Sequence, residues 1–153
     1  MARSAGILLY RLRDGGPEVL LVHPGGPFWA RKDAGAWSIP KGEYDDGENP
    51  QAGALREFEE ETGTALSPAA LADLGTVRLK SGKQVAAWAV EGDLDADTIT
   101  SNTFELEWPP RSGRVQEFPE IDRAAWFGLD EARTKLGKGQ VGFLDRLAER
   151  LAV

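Results

Sequence analysis

Cysteine is absent from this chain of 153 residues. Without cysteine the chain forms no disulfide, holds no metal through thiolates and has no cysteine nucleophile. No apolar run approaches the roughly 18 residues that a helix needs to cross a bilayer. Residues 1–4 lead directly into an apolar segment and lack the layout of a signal peptide. We therefore expect an intracellular, cytoplasmic protein that does not enter a membrane.

Basic residues are also in the minority. The chain has 18 Lys and Arg against 25 Asp and Glu, which gives a net charge of −7. This balance argues against broad affinity for nucleic acid, which needs a positive surface. It does not exclude a phosphate substrate, because a bound metal reverses the field locally. A hydrophobic content of 41% is typical of a globular protein, and we predict one domain over residues 1–153.

The clearest secondary-structure prediction is a helix over residues 50–62. Asn49 is a favourable cap, Pro50 suits the first helical position, and Gly63 is a favourable end. The segment makes about four turns at 3.6 residues per turn. Mixed strands with interspersed helices predict an α/β/α sandwich. The other predicted elements are strands at 5–12, 19–23, 36–39, 71–79, 84–90 and 121–127, a further strand near 103–108, and helices at 130–136 and 141–151.

Three carboxylates lie on the same side of this helix. At about 100° per residue, Glu57, Glu60 and Glu61 share an arc of roughly 100°, whereas Leu55 and Phe58 lie on a separate apolar side. Like charges repel, so a divalent cation is the usual reason for such crowding. Oxygen ligands suit Mg²⁺ or Mn²⁺, and Mg²⁺ completes its shell with water and substrate phosphates. The pattern thus points to polyphosphate chemistry, and the alternative is a solvated acidic surface.

The segment around this helix resembles the Nudix box. That pattern has a glycine, five residues, Glu, seven residues, Arg-Glu, an apolar residue, any residue, Glu-Glu, any residue, Gly and an apolar residue. The chain departs from it only at Thr64, where the family prefers an aliphatic side chain, and residues 37–41 also resemble what many Nudix enzymes carry before the box. The matching positions are Gly42, Glu48, Arg56, Glu57, Phe58, Glu60, Glu61 and Gly63.

The resemblance implies an α/β protein with the Nudix fold, an α/β/α sandwich with a mixed central sheet. It also implies a hydrolase in which water attacks a diphosphate linkage with the help of Mg²⁺, or Mn²⁺. Glu57, Glu60 and Glu61 match the family's metal ligands. The backbone carbonyl at Gly42 or Lys41 is an expected further ligand.

The remaining roles are implied in the same way. Arg56 matches an arginine that orients the metal-binding carboxylates, and Glu48 matches a glutamate that holds that arginine. The general base is a box glutamate in some members, which corresponds to Glu57 or Glu60. In others it is a glutamate of a late loop, for which we favour Glu117 as base or metal ligand, with Glu120 as the other candidate.

Candidates for substrate contact come from local patterns. Lys41 lies beside the expected metal site, Lys80 flanks a predicted turn, and His23, the only histidine, ends a predicted strand. The alternatives are a surface role for the lysines and a structural role for the histidine. Loop 27–32 places two aromatic rings beside two cations, which suits a nucleobase and its phosphates, although the rings are as well suited to packing on the core. The candidates are Lys41, His23, Phe28, Trp29, Arg31 and Lys80.

The substrate class is less well defined than the reaction. The proline typical of ADP-ribose enzymes and the tyrosine typical of diadenosine polyphosphate enzymes are both missing near residues 77–80. Residues 37–41 resemble enzymes for dinucleoside polyphosphates and 5′-triphosphate RNA. We expect a small nucleotide substrate, either a dinucleoside polyphosphate or a nucleoside triphosphate. The alternatives are an RNA 5′ end, a nucleotide sugar or a non-catalytic nucleotide sensor, and the oligomeric state stays open.

Overall fold

The computed structural model describes residues 3–153. Within them, the chain forms eight strands and three α-helices. The strands are β1 (Arg3–Arg13), β2 (Gly16–Pro24), β3 (Lys41–Glu43), β4 (Ala72–Arg78), β5 (Gln84–Glu91), β6 (Thr103–Glu107), β7 (Val115–Pro119) and β8 (Ile121–Gly128), and the helices are α1 (Pro50–Thr62), α2 (Leu129–Lys135) and α3 (Val141–Leu151).

The main sheet is mixed. Its strands follow the order β4-β5-β1-β2-β8, and the short β3 pairs with β1 as well. Strands β1 and β5 run parallel, whereas the other pairs in this sheet are antiparallel. In the β1–β3 pair, Ala5 lies opposite Gly42. This pairing fixes the first glycine of the predicted box next to the central strand.

Both faces of the sheet are covered by helices. Because successive side chains of a strand point to opposite faces, Ile7 and Leu9 of β1 pack with Phe58 of α1, whereas Leu8 packs on the other face with Phe143 of α3. All five side chains are at most 1% exposed. The predicted α/β/α sandwich with a mixed central sheet is therefore confirmed.

The ends of α1 agree with the sequence signals. The Asn49 side-chain oxygen accepts hydrogen bonds from the backbone amides of Gln51 (2.8 Å) and Ala52 (3.4 Å). Gly63 ends the helix with φ of 80°, a left-handed conformation that glycine adopts without steric cost. The predicted bounds of residues 50–62 are the observed ones.

Two parts of the fold differ from the prediction. The strand expected near 103–108 is present as β6, whereas the late loop that carries Glu117 contains a strand, β7, which pairs with β6 in a separate two-stranded sheet. In the expected strand at 36–39, only Trp37 and Ser38 make isolated bridges, and the strand that enters the box is β3. Pro40 separates the two, and proline has no amide hydrogen for a strand ladder.

No α-helix among residues 3–153 has both the length and the apolar character that crossing a bilayer requires.

Replacement of Phe58 by alanine tests the packing of α1 on the sheet. The side chain is fully buried, so we expect Phe58→Ala to lower the free energy of unfolding by about 3–5 kcal/mol in urea denaturation. Glu59→Ala is the matched control, because Glu59 is exposed on the same helix and its loss should cost at most about 0.5 kcal/mol. Equal losses for the two variants would contradict the described packing.

Candidate active site

The site lies where the second half of α1 meets β3. The backbone at Gly42 approaches the Glu57 carboxylate so closely that a Cβ atom at this glycine would lie 2.1 Å from Glu57 Oε2. No side chain larger than hydrogen fits there unless the carboxylate moves. The glycine of the box therefore allows the Glu57 carboxylate to lie directly against the strand.

Arg56 connects the acidic residues of the site. Its Nε and Nη2 atoms donate to the two carboxylate oxygens of Glu48, each at 2.9 Å. Its Nη1 donates to Glu57 Oε1 at 2.9 Å and to Glu60 Oε1 at 3.3 Å. The hydrogen bonds from Arg56 hold the pKa of Glu48 below its usual value. This geometry agrees with the supporting role predicted for Glu48 and Arg56.

Among the carboxylates of the site, Glu61 is the one on which a negative charge is least stable. Its Oε2 atom is buried and has no hydrogen-bond partner among residues 3–153. Burial, and then the charge of Glu57, raises the pKa of Glu61 to about 8, and the nearby Lys41 only partly opposes this. Burial also raises the pKa of Glu57, although Arg56 opposes the effect. Both carboxylates therefore lack sufficient positive charge around them.

Lys41 faces the same site from β3. Burial, and then the charge of Lys83, lowers the pKa of Lys41, whereas Glu61, Glu43 and Glu57 act in the opposite direction. The expected position of Lys41 beside the acidic residues is thus observed.

Of the two late glutamates, Glu120 lies closer to the box. The charge of Glu120 contributes to the raised pKa of both Glu57 and Glu61. Glu117 lies on β7, exposed, and its carboxylate accepts a hydrogen bond from the Thr103 hydroxyl. The role assigned to Glu117 stays a prediction, but Glu120 is better placed for it. The sequence did not separate the two because it placed both in a loop, whereas Glu117 lies within the β6–β7 pair.

His23 has a structural environment. It is fully buried, its Nε2–H donates to the Lys32 carbonyl oxygen at 2.7 Å, and its Nδ1 lies 2.8 Å from Asp122 Oδ1. The ring also packs edge-on against Trp37, with centroids 5.2 Å apart. Both ring nitrogens are occupied within the protein. The structure thus favours the structural alternative over substrate contact.

The other predicted contact residues lie at the surface. Phe28 is 58% exposed and Trp29 is 40% exposed, so neither ring is packed inside the core. Lys32 places its Nζ 5.0 Å from the Trp29 ring centroid. Arg31 and Lys80 are exposed. The structure leaves these side chains accessible to a ligand without showing one.

A hard divalent cation fits the acidic residues. Within residues 3–153, no three carboxylate or imidazole side chains already stand in a metal-ligating arrangement, and Arg56 forms ion pairs with Glu57 and Glu60. The unpartnered Glu61 oxygen and the raised pKa of Glu57 nevertheless mark a place where positive charge would be stabilising. Carboxylate oxygens are the ligands that Mg²⁺ and Mn²⁺ prefer.

Replacement of Gly42 by alanine tests whether the contact with Glu57 serves cation binding. The clashing atoms belong to the movable end of a side chain, so we expect Gly42→Ala to fold and to keep its metal-free stability within about 1 kcal/mol. The displaced carboxylate should reduce the rise in melting temperature on addition of Mg²⁺.

Gly47→Ala is the matched control for this experiment. A Cβ atom there meets nothing within 4 Å, so its response to Mg²⁺ should equal that of the wild type. An unchanged response in Gly42→Ala would show that the position of Glu57 does not matter for the cation.

Comparison with known proteins agrees with this geometry. A family model of the NUDIX domain matches residues 2–147. An Ap4A hydrolase of C. elegans, solved as a binary complex, superposes with a TM-score of 0.65 at 23% identity, covering 99% of this chain and 98% of its own. The NUDIX domain of Shewanella oneidensis NrtR, complexed with ADP ribose, superposes with a TM-score of 0.65 at 19% identity. The match covers 97% of this chain and 87% of the NrtR domain.

A third solved structure has the same fold. The MutT protein of Methanosarcina mazei Go1 superposes with a TM-score of 0.62 at 21% identity, over 99% of this chain and 96% of its own. At such identities the solved structures establish the fold, and the family model, which spans nearly the whole sequence, establishes the family. The chain belongs to the Nudix family of phosphoanhydride hydrolases.

Proposed function

We propose that this protein is a Mg²⁺-dependent pyrophosphohydrolase, with Mn²⁺ as a substitute, that acts as a single domain in the cytoplasm. Its substrate is a nucleotide with a diphosphate linkage, either a dinucleoside polyphosphate or a nucleoside triphosphate. The observation that carries the proposal is the buried, unpartnered oxygen of Glu61 beside a second carboxylate whose pKa burial has raised. A protein that bound no cation would gain nothing from this unfavourable arrangement.

The residues have distinct roles in this proposal. Glu57, Glu60 and Glu61 would hold the cation through carboxylate oxygens, and the backbone carbonyl at Gly42 or Lys41 would be a further ligand. Arg56 prevents Glu57 and Glu60 from moving apart by hydrogen-bonding to both. The bound metal would offset the negative charge of the phosphate oxygens and make the attacking water more acidic.

The reaction is attack of water on phosphorus. An O–P bond forms to the water oxygen, the bond from phosphorus to the bridging oxygen breaks, and the proton passes to a carboxylate that acts as general base. We favour Glu120 as the base because its charge acts on both Glu57 and Glu61, and the alternatives are Glu117 and the box residues Glu57 and Glu60. Lys41 lies beside Glu61 and supplies positive charge to the phosphates.

The solved relatives support a nucleotide substrate. The C. elegans protein is an Ap4A hydrolase, and the Shewanella domain binds ADP ribose. Both ligands contain a diphosphate joined to a nucleoside. We therefore place dinucleoside polyphosphates first and nucleoside triphosphates second among the substrates.

A panel of nucleotides separates an enzyme from a sensor. Dinucleoside polyphosphates, nucleoside triphosphates, a nucleotide sugar and 5′-triphosphate RNA are incubated with protein and Mg²⁺, and the phosphate products are counted. We expect turnover to be highest for a dinucleoside polyphosphate. Tight nucleotide binding without product would instead identify a non-catalytic sensing module.

Replacement of Glu61 by glutamine tests the proposed metal site. Glutamine keeps the shape but removes the charge. Because the pKa of Glu61 is raised in the fold, its ionised form costs stability once the pH exceeds its unfolded pKa, and the cost reaches its full value above about pH 8. In EDTA at neutral to mildly alkaline pH, we expect Glu61→Gln to raise the free energy of unfolding by about 1–3 kcal/mol.

The same variant should lose its response to metal. Mg²⁺ should stabilise the wild type but not Glu61→Gln, and hydrolysis should fall by orders of magnitude. Glu59→Gln is the matched control, since Glu59 is exposed on the same helix and should behave as the wild type. If Mg²⁺ stabilised Glu61→Gln as strongly as the wild type, the metal assignment would be wrong.

A pair of variants distinguishes the two late glutamates. We expect Glu120→Gln to lower kcat by about 10²-fold or more, which is the usual contribution of general acid–base catalysis, with a small change in KM. Glu117→Gln should remain within a few-fold of the wild type, because Glu117 is hydrogen-bonded to Thr103 on the separate hairpin. Steady-state hydrolysis of a dinucleoside polyphosphate measures both, and the reverse result would restore Glu117 to the role first assigned to it.

A further inference from the structure

Glu120 is held through its backbone by two other segments of the chain. Its amide donates to the Asn102 carbonyl oxygen at 2.8 Å, and its carbonyl oxygen accepts from the Gly25 amide at 2.9 Å. A Cβ atom at Gly25 would lie 2.0 Å from the Pro119 carbonyl oxygen, and a backbone atom does not move aside as a flexible side chain does. Close backbone contacts therefore set the position of Glu120.

The segment that accepts from the Glu120 amide also touches the end of α1. A Cβ atom at Gly63, which ends this helix, would lie 2.9 Å from the Thr100 hydroxyl oxygen. Two residues later, the Asn102 carbonyl oxygen accepts from Glu120. The backbone of Glu120 is thus connected to the end of the helix that carries the acidic residues by one short piece of chain.

A β-bulge lies two residues after Glu120. His23 and Pro24 are consecutive in β2, but their partners in β8 are two residues apart, which leaves Asp122 as the extra residue. A bulge bends its strand and changes the direction of neighbouring side chains, and bulges are common next to active sites. The direction in which the chain at Glu120 enters β8 therefore depends on how this bulge is held.

His23 is a buried side chain that holds the bulge. Its Nδ1 lies 2.8 Å from Asp122 Oδ1, and its Nε2–H donates to the Lys32 carbonyl oxygen at 2.7 Å. The histidine side chain is fully buried, whereas that of Asp122 is 31% exposed. One buried ring thus connects the extra residue of the bulge to the loop over residues 25–32, whose first residue is bonded to Glu120.

We propose that His23 is a positioning residue, which fixes the bulge through Asp122 and thereby directs the Glu120 carboxylate toward the reacting phosphate beside α1. The inference rests on the hydrolase function proposed above, and it gives the single histidine of the chain a part in the reaction. His23 itself touches no substrate and transfers no proton. Its bond to Asp122 matters for the rate, and its bond to Lys32 does not.

The two hydrogen bonds of His23 can be removed one at a time. The amide nitrogen of asparagine is separated from Cβ by as many bonds as Nδ1 is, and that of glutamine by as many as Nε2 is. His23→Asn therefore keeps a donor for Asp122, and His23→Gln keeps one for the Lys32 carbonyl oxygen instead. Both variants lose the ring and one hydrogen bond, so their melting temperatures should fall by similar amounts.

Steady-state hydrolysis in Mg²⁺ compares the two variants, with diadenosine tetraphosphate or whichever nucleotide of the panel above is cleaved fastest. We expect His23→Gln to lower kcat by about tenfold or more, because a misplacement of about 1 Å can cost about 10²-fold. KM should stay within about twofold, and His23→Asn should keep kcat within about threefold of the wild type. Asp122→Ala, at a partly exposed side chain, should fold and lose kcat as His23→Gln does.

Combination with Glu120→Gln shows whether the effect passes through Glu120. Once this carboxylate is replaced, its direction no longer matters, so adding His23→Gln should cause no further loss of kcat. A purely structural role would lower kcat by the same factor in either background. Arg123→Gln is the control: Arg123 Nε lies 3.6 Å from Asp122 Oδ1 on a side chain 53% exposed, and kcat should equal that of the wild type.

Amide hydrogen exchange reports the position of Glu120 without hydrolysis. In EDTA, exchange of the Gly25 and Glu120 amides, measured by NMR, should be faster by about tenfold or more in His23→Gln and Asp122→Ala. Both amides should stay near the wild-type rates in His23→Asn. The Phe58 amide within α1 measures global stability and should respond equally to the two histidine variants.

The outcomes separate this inference from the proposed function. Equal losses of kcat in His23→Asn and His23→Gln would overturn the inference, as would a loss in Arg123→Gln or a full further loss in the Glu120→Gln background. If hydrolysis were normal and His23→Gln kept the wild-type kcat, the inference would fail alone. If the wild type hydrolysed no nucleotide, the hydrolase proposal would fail, and the exchange rates would decide whether His23 fixes the bulge.

Discussion

Repulsion among carboxylates is the constraint on which the site depends. The fold places Glu57 and Glu61 close enough to disfavour each other's charge, and burial adds to the cost. Arg56 supplies the compensation that the chain itself provides, since it binds Glu48 with two donors and reaches Glu57 and Glu60 with a third. Arg56 donates no hydrogen bond to the buried Oε2 atom of Glu61, which has no partner among residues 3–153. Positive charge placed beside this oxygen would therefore be stabilising.

The chemistry of α1 was predictable from sequence because all of its determinants are local. Asn49 and Gly63 mark the ends, and the period of the helix places Glu57, Glu60 and Glu61 on one side. The buried Phe58 lies on a separate side of the helix, which packs on the core. The helix and the arginine network involve residues within about four turns of each other.

The parts that sequence did not reveal depend on contacts between distant segments. Glu120 follows the end of β7 and its charge acts on Glu57 and Glu61, whereas Glu117 lies within the β6–β7 pair. The burial of His23 depends on Asp122, which is 99 positions away. The approach of Gly42 to Glu57 likewise follows from the pairing of β3 with β1. The sequence shows that such residues are present, but it does not show which of them contact each other in the fold.

The loop over residues 25–32, which carries Phe28, is hydrogen-bonded to the rest of the protein at both ends, and Phe28 and Trp29 between them are exposed. Its first residues bind the backbone at Glu120, and the Lys32 carbonyl oxygen is held by the buried His23. Residues between these two anchors can change in length or character without moving the anchors themselves. Mutations that accumulate in this short surface stretch would therefore leave the acidic site and the core of the sheet undisturbed.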